Sequence, residues 1–298
     1  MDYGHDIQFG YFLTPDASDY REVLRRAQLC DELGFDLLGI QDHPYQSRFL
    51  DTWTLIAALA AQTNRARLFP DVASLPLRPP AVLAKAAASL DVMSGGRIEL
   101  GLGAGAFWEA IGAMGGPVRS PGEAVAALEE AIHVIRLMWS GQRGLRLAGE
   151  HYPLRGVHSG PVPAHPIGIW IGALGPKMLN LTGRLGDGWV PSSSYVPPAK
   201  LPEMQARIDE AAVSAGRDPA AIRRIYNIMG RIGERASSDP FTGPTAQWVD
   251  ELTQLALRDG MDTFILGLPE PPGDQLERFM AEIIPQVREN VAAHRSRS

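Results

Sequence analysis

Apolar positions along the chain alternate between two spacings. Residues 7–13 form an apolar run of strand length, and 19–33 then carry apolar residues at helical spacing until Gly34 stops them. The same pair recurs three times: a strand at 35–41 with a helix at 52–63, a strand at 67–72 with a helix at 81–93 closed by Gly95-Gly96, and a strand at 98–103 with a helix at 122–139. After Trp139 the alternation lapses. Residues 140–166, rich in Gly, Pro and Arg, exceed a routine α/β connection and read as an insertion with a short hairpin near 145–152. Beyond it the pattern resumes, with strands at 167–171, 187–191, 223–231 and 263–268 and helices at 176–185, 201–215, 244–258 and 273–294. The tail 295–298 reads as frayed.

Eight strand–helix pairs in strict order predict an α/β fold: a parallel (β/α)8 TIM barrel with an insertion after the fourth helix, since each crossover helix then covers the outside of one growing sheet. An open, doubly wound sheet is the alternative that the same order allows. With 298 residues, 45% of them hydrophobic, the chain can bury one large core, so a single domain over 1–298 is expected. A barrel places chemistry at the C-terminal ends of its strands, which directs attention to the loops there.

Composition narrows the classes. A net charge of -6 leaves no basic stripe for a nucleic acid, and no apolar run approaches the length of a membrane span. The first residues lack a basic segment followed by an apolar one, so a cytoplasmic location is expected. Cys30 is the single cysteine and sits on the apolar side of a predicted helix, where a buried inert thiol is the reading. Histidines 5, 133, 151, 158, 165 and 294 show no metal-ligand spacing, and no Gly-x-Ser-x-Gly elbow occurs.

Three segments at predicted strand ends can carry chemistry. Gln41-Asp42-His43-Pro44-Tyr45-Gln46 puts an acid beside a histidine, a pair that holds a cofactor ring, supplies a base, or simply caps a loop. Gly101-Leu102-Gly103-Ala104-Gly105-Ala106-Phe107-Trp108 makes a weak dinucleotide fingerprint; its glycines fit better as places where backbone approaches a flat ligand. Phe107 and Trp108 either wall a substrate or pack in the core. In 170–179 a short turn enters a helix with Pro176 at its first position, so free amides and the helix dipole converge on one point: a phosphate site, or a plain helix start.

With Leu75-Pro76-Leu77-Arg78-Pro79-Pro80-Ala81-Val82-Leu83-Ala84-Lys85 and Leu90-Asp91-Val92-Met93-Ser94-Gly95-Gly96-Arg97-Ile98-Glu99, these segments resemble the bacterial-luciferase-like superfamily of flavin and deazaflavin oxidoreductases, over almost the whole chain. The resemblance implies that Asp42 and His43 face a deazaflavin or flavin ring. It implies a bulge in the third strand, at Asp71, Val72 and Ala73, with a non-proline cis peptide at Asp71-Val72 behind that ring. Gly103, Ala104 and Gly105 would line the cofactor, and the amides of Ala173, Leu174 and Gly175 would hold its phosphate. In the F420-dependent sugar-phosphate dehydrogenases of this superfamily a Glu follows the last glycine; Ala106 stands there, which disfavours that substrate.

The activity implied is hydride exchange between F420 and a small organic substrate, with Phe107, Trp108 and Tyr195 facing the substrate. An FMN-dependent monooxygenase is the alternative within the superfamily, and a non-catalytic flavin-binding barrel is the alternative from another class. Barrels of this superfamily usually pair through their second and third helices. Here 54–61 and 81–88 are almost wholly apolar, which predicts a homodimer unless the insertion or a terminal helix covers them.

Overall fold

The computed structural model describes residues 2–269 and 272–297. The chain opens with β1 (Gln8–Leu13), α1 (Tyr20–Leu33), β2 (Leu37–Ile40), α2 (Thr52–Ala60), β3 (Arg67–Pro70), β4 (Ala73–Ser74) and α3 (Pro80–Ser94). It continues with β5 (Leu100–Gly103), α4 (Trp108–Ala113), α5 (Pro121–Trp139), the hairpin β6 (Leu145–Leu147) and β7 (Leu154–Val157), β8 (Ile169–Gly172), α6 (Pro176–Leu185) and β9 (Gly188–Trp189). The last part holds α7 (Leu201–Ser214), β10 (Arg223–Met229), the short pair β11 (Arg231–Ile232) and β12 (Thr242–Gly243), α8 (Thr245–Leu257), β13 (Thr263–Gly267), α9 (Gln275–Arg278) and α10 (Ile284–Arg295).

All pairings in the main sheet are parallel, in the order β3-β2-β1-β13-β10-β9-β8-β5-β4. The two ends of that order are halves of one strand. β3 pairs with β2 and β4 with β5, and only Asp71 and Val72 separate them, so the sheet closes into the expected (β/α)8 TIM barrel. The Glu99 amide donates to Leu68 O at 3.0 Å across the same seam.

Alternation along the strands sorts their side chains. Phe9, Tyr11 and Leu13 face outward to the helices in the large core, whereas Leu37, Phe69, Trp170, Val190, Ile225 and Ile265, with Phe12 and Val72 against them, fill the barrel interior. The helices start and stop where capping chemistry dictates. The Asp19 side chain caps α1 and Gly34 ends it at φ +93°, while Ser120 and Glu123 form a reciprocal capping box on α5.

Several local expectations change. Residues 104–121 contain α4, which at six residues is too short to show a helical period. The final helix is interrupted by a π-turn at Phe279–Ile283. The hairpin in 140–166 is real, but its second strand lies at Leu154–Val157, beyond the predicted span. Arg295, expected to fray, ends α10 and pairs with Asp2 at 2.8 Å; Ser298 lies outside the described residues. Cys30 is buried, and burial holds its thiol far above the usual range, so it is inert.

Segment 140–166 rejoins the barrel through one carboxylate. The buried Asp91 of α3 accepts from the amides of Ala164 (2.7 Å), His165 (3.1 Å) and Ile98 (3.2 Å), and His165 Nδ1 lies 2.8 Å from it. Glu99 and Asp91 together hold the His165 imidazole above its ordinary range by stabilising the imidazolium. Among the described residues no helix is long and apolar enough to cross a membrane.

Candidate active site

A cavity of about 690 Å³ opens at the C-terminal ends of the strands, within the usual size range of small-molecule sites. It is built from the loops after β2, β3, β5, β8, β9 and β10.

After β2 the chain turns at Gln41, whose carbonyl accepts from Thr52 Oγ1 at 2.6 Å. Asp42 then points into protein. Its buried carboxylate accepts from the Ser74 amide (3.0 Å) and from Arg78 Nη2 (2.9 Å) and Nε (3.3 Å), and Arg78 also reaches Asp51, the cap of α2, at 2.6 Å. Asp42 therefore ties the β2 loop to β4 and to the segment leading into α3. Removing it leaves Arg78, 18% exposed, with one carboxylate instead of two. The Asp42→Ala protein is expected to lose about 3 kcal/mol of stability, because it strands most of a buried ion pair. Urea unfolding checks this, and a loss under about 1 kcal/mol would show that Asp51 alone suffices.

His43 faces the cavity. The Tyr45 hydroxyl lies 2.5 Å from its Nδ1, and the Phe107 ring meets it edge-on with centroids 5.8 Å apart. These contacts fix the imidazole plane and leave Nε2 for a ligand. Burial pushes the His43 pKa down against the raising charge of Asp42, so the ring is neutral at neutral pH. Burial pushes Tyr45 up to about 12, so its hydroxyl keeps its proton.

The Asp71-Val72 peptide is cis. Val72 is seated against glycines of the neighbouring strands: a Cβ on Gly103 or on Gly172 would stand 3.0 Å from its Cγ2, and one on Gly101 would stand 2.1 Å from Pro70 O. The glycines of β5 thus make room for the bulge, not only for a ligand as their spacing suggested. Gly105, at φ +116°, has the Trp108 ring and Pro76 where its Cβ would project. Trp108 consequently packs beneath this turn and does not line the cavity, whereas Phe107, at φ +56°, does.

After β8, the strand next to β5, Gly175 caps α6 with no side-chain hydrogen bond, and Pro176 follows as the first helical residue. Trp189 Nε1 donates to Ala173 O at 3.0 Å and anchors the turn. Ala173, Leu174 and Gly175 all line the cavity, where unpaired helix-start amides and the dipole favour an anion.

One cavity thus gathers Asp42, His43, Asp71, Val72, Ala73, Gly103, Ala104, Gly105, Phe107, Ala173, Leu174, Gly175 and Tyr195, and leaves out Trp108. Sequence reasoning missed Asn227 and Ser192. The available signal was an Asn at an inward position, two residues from Ile225, between Tyr226 and Ile228 in a buried strand. Tyr45 carries no comparable signal, because nothing in its spacing fixes a contact to His43.

Comparison with known proteins gives the same picture. Residues 7–237 match the family described as luciferase-like monooxygenase. The F420-dependent glucose-6-phosphate dehydrogenase of Gordonia bronchialis is 31% identical over 232 residues, 75% of this chain and 68% of that protein. The structure of an F420-dependent secondary alcohol dehydrogenase in complex with an F420-acetone adduct superposes with a TM-score of 0.84 at 20% identity, covering 95% of this chain and 99% of the other. A long-chain alkane monooxygenase (LadA) superposes at 0.79 and 15% identity, over 96% and 92% of the two chains. With the closed barrel, the bulge in its third strand and a match spanning most of its length, the chain belongs to the luciferase-like monooxygenase family.

Proposed function

We propose that this protein is an F420-dependent oxidoreductase that exchanges a hydride with a small apolar organic substrate. The observation that carries the reading is one cavity joining a helix start with no side-chain cap to a neutral histidine across a floor that includes Phe12, Val72 and Val190. The residues fit such a cofactor. The floor of Phe12, Val72 and Val190 suits a flat ring, and the open space at the Gly175 Cβ position leaves the α6 start accessible to a phosphate. The name of the Gordonia relative supports F420 over FMN.

A bound deazaflavin supplies hydride exchange; the protein supplies orientation and proton handling. Ala173, Leu174 and Gly175 would hold the phosphate, Val72 would pack against the ring, and His43 Nε2 would exchange a hydrogen bond or proton with the reacting oxygen. The rim carries Phe107, Leu174 and Tyr195 at 58%, 52% and 67% exposure, an apolar collar that fits an apolar substrate better than a sugar phosphate. Ala106, on the same wall, offers no carboxylate.

Incubation with F420 and a panel of short alcohols, and with reduced F420 and the matching carbonyl compounds, should change the F420 absorbance in a substrate-dependent way. Oxygen consumption with reduced FMN and no F420 turnover would instead make it a flavin monooxygenase. Binding of either cofactor without turnover across the panel would favour a storage barrel.

The same reading includes a homodimer. Val82, Ala86, Ser89 and Met93 recur along one face of α3, and Val82 and Met93 are 66% and 79% exposed. Trp139 Nε1 on Ala84 O and Lys85 Nζ on Gly160 O bring the following segment beside α3, where Val157 and His158 share a groove with Val82, Ala86 and Ser89 and leave Val82 and Met93 exposed. Light scattering at micromolar concentration should give a dimer that Met93→Glu splits; a wild-type monomer would refute it.

A further inference from the structure

Beneath the cavity lies a polar pair that the mechanism above leaves unused. Asp71 follows β3 at an inward position, and Asn227 projects inward from β10. Both are buried, and both line the cavity. Asn227 Nδ2 donates to Asp71 Oδ1 at 3.0 Å and to Ser192 Oγ at 3.2 Å, which spends both its hydrogens and sets the orientation of the amide. Asp71 Oδ2 and Asn227 Oδ1 remain buried acceptors with no donor among the described residues.

Two buried acceptors without a donor are costly, and a carboxylate in that position costs more. Among the described residues no Lys or Arg answers it. Gly39 lies beside Oδ2, and Asn227, itself bonded to Ser192, is the polar group at Oδ1. The cavity's other titratable groups sit on the loops above: Asp42, bound to Arg78, with His43, Tyr45 and Tyr195. A proton on the carboxyl removes the buried charge and turns one unmet acceptor into a donor.

We propose that the Asp71 carboxyl and the Asn227 amide form a neutral recognition pair on the cavity floor, contacted by the ring of the bound cofactor, and that this pair makes ring binding depend on pH. The proposal rests on the function assigned above for the identity of the ligand, but not for the state of Asp71. Burial, opposed only by the Asn227 hydrogen bond, lifts the Asp71 carboxyl to about 7 in the free protein. A ring laid over the floor removes the remaining solvent and raises it further, so binding favours the protonated form. By linkage, affinity is constant below the free-state value and falls as pH rises above it, by up to about tenfold per pH unit until the bound-state value is passed. His43 cannot mimic this, because its pKa is lowered and its titration lies on the acid side.

The test is titration of the apoprotein with F420 and with FMN by fluorescence quenching between about pH 6 and pH 9, for wild type and Asp71→Asn. Wild-type affinity should fall about tenfold or more over that range, while the isosteric, uncharged Asn variant should bind at all pH values as wild type binds at pH 6. A flat wild-type profile, or a variant that retains the full pH dependence, overturns the proposal. Infrared difference spectra of the ligand-free proteins over the same pH range read Asp71 directly. A carboxylic-acid C=O band that disappears with rising pH in wild type and is missing from Asp71→Asn is expected, and identical spectra would refute the neutral pair. If neither cofactor binds wild type at any pH, the assigned function fails, and the infrared result still decides the state of Asp71.

Discussion

Gly175→Asp should fold normally yet bind its cofactor about a hundredfold more weakly, or worse. Gly175 is the cap of α6 with an extended backbone, φ -83° and ψ 158°, and a Cβ there meets nothing within 4 Å. Asp is a favoured capping residue in that conformation, so its carboxylate will take hydrogen bonds from the first helical amides and hold or raise the melting temperature. Those amides, of Lys177 and Met178, adjoin the amides of Ala173, Leu174 and Gly175 assigned to the cofactor phosphate. The variant therefore sets a tethered anion beside the anion site, repelling the phosphate and weakening charge-assisted bonds worth about 1.5–3 kcal/mol each. Gly175→Ala, which adds bulk without charge, should bind within about threefold of wild type, roughly the 0.6 kcal/mol of a minor steric effect. Equal cofactor affinity in the Asp variant, with a raised melting temperature, would move the phosphate away from α6.

His43→Ala should have the opposite signature: turnover reduced by about 10²–10⁴-fold, as for loss of a positioned acid or base, with cofactor affinity changed little. His43 is held by Tyr45 at 2.5 Å and by the edge of Phe107, so its Nε2 presents a fixed hydrogen-bonding position. The phosphate turn lies in a different loop, after β8, and should continue to hold the cofactor. His43→Gln, which restores an N–H donor but cannot carry a proton, separates the two duties: recovery of activity assigns hydrogen bonding, and persistent loss assigns proton transfer. Stopped-flow reduction of bound cofactor measures the chemical step directly. Wild-type rates in His43→Ala would reduce this residue to loop structure.

The barrel was legible in the sequence because each strand–helix pair carries its own period and its own stop. Gly34 after α1 and the Ser120-Glu123 box on α5 are local signals with local causes. The positions of the site followed, since strand ends in a barrel converge on one face. What those residues touch did not follow. Asp42 and His43 are adjacent, yet one carboxylate is locked to Arg78, 36 positions away, while the next side chain lines the cavity. Phe107 and Trp108 show the same limit, because which ring enters the cavity depends on the left-handed backbone at Phe107 and on the space left by Gly105. Asn227 lies 156 positions from Asp71, a pairing set only by barrel closure. Local pattern places elements on a face; long-range packing decides which groups on that face are free to act.

The central claim is that this cavity is a cofactor site with its anion end at α6 and its ring end at His43. Fluorescence titration of wild type and Gly175→Asp with F420 and FMN tests it most directly. The account predicts saturable quenching of wild type by F420 at low micromolar concentration or below, weaker binding of FMN, and loss of F420 binding in the variant by about a hundredfold, near 2.7 kcal/mol. Failure of wild type to bind either cofactor, or equal affinity in wild type and Gly175→Asp, would contradict it.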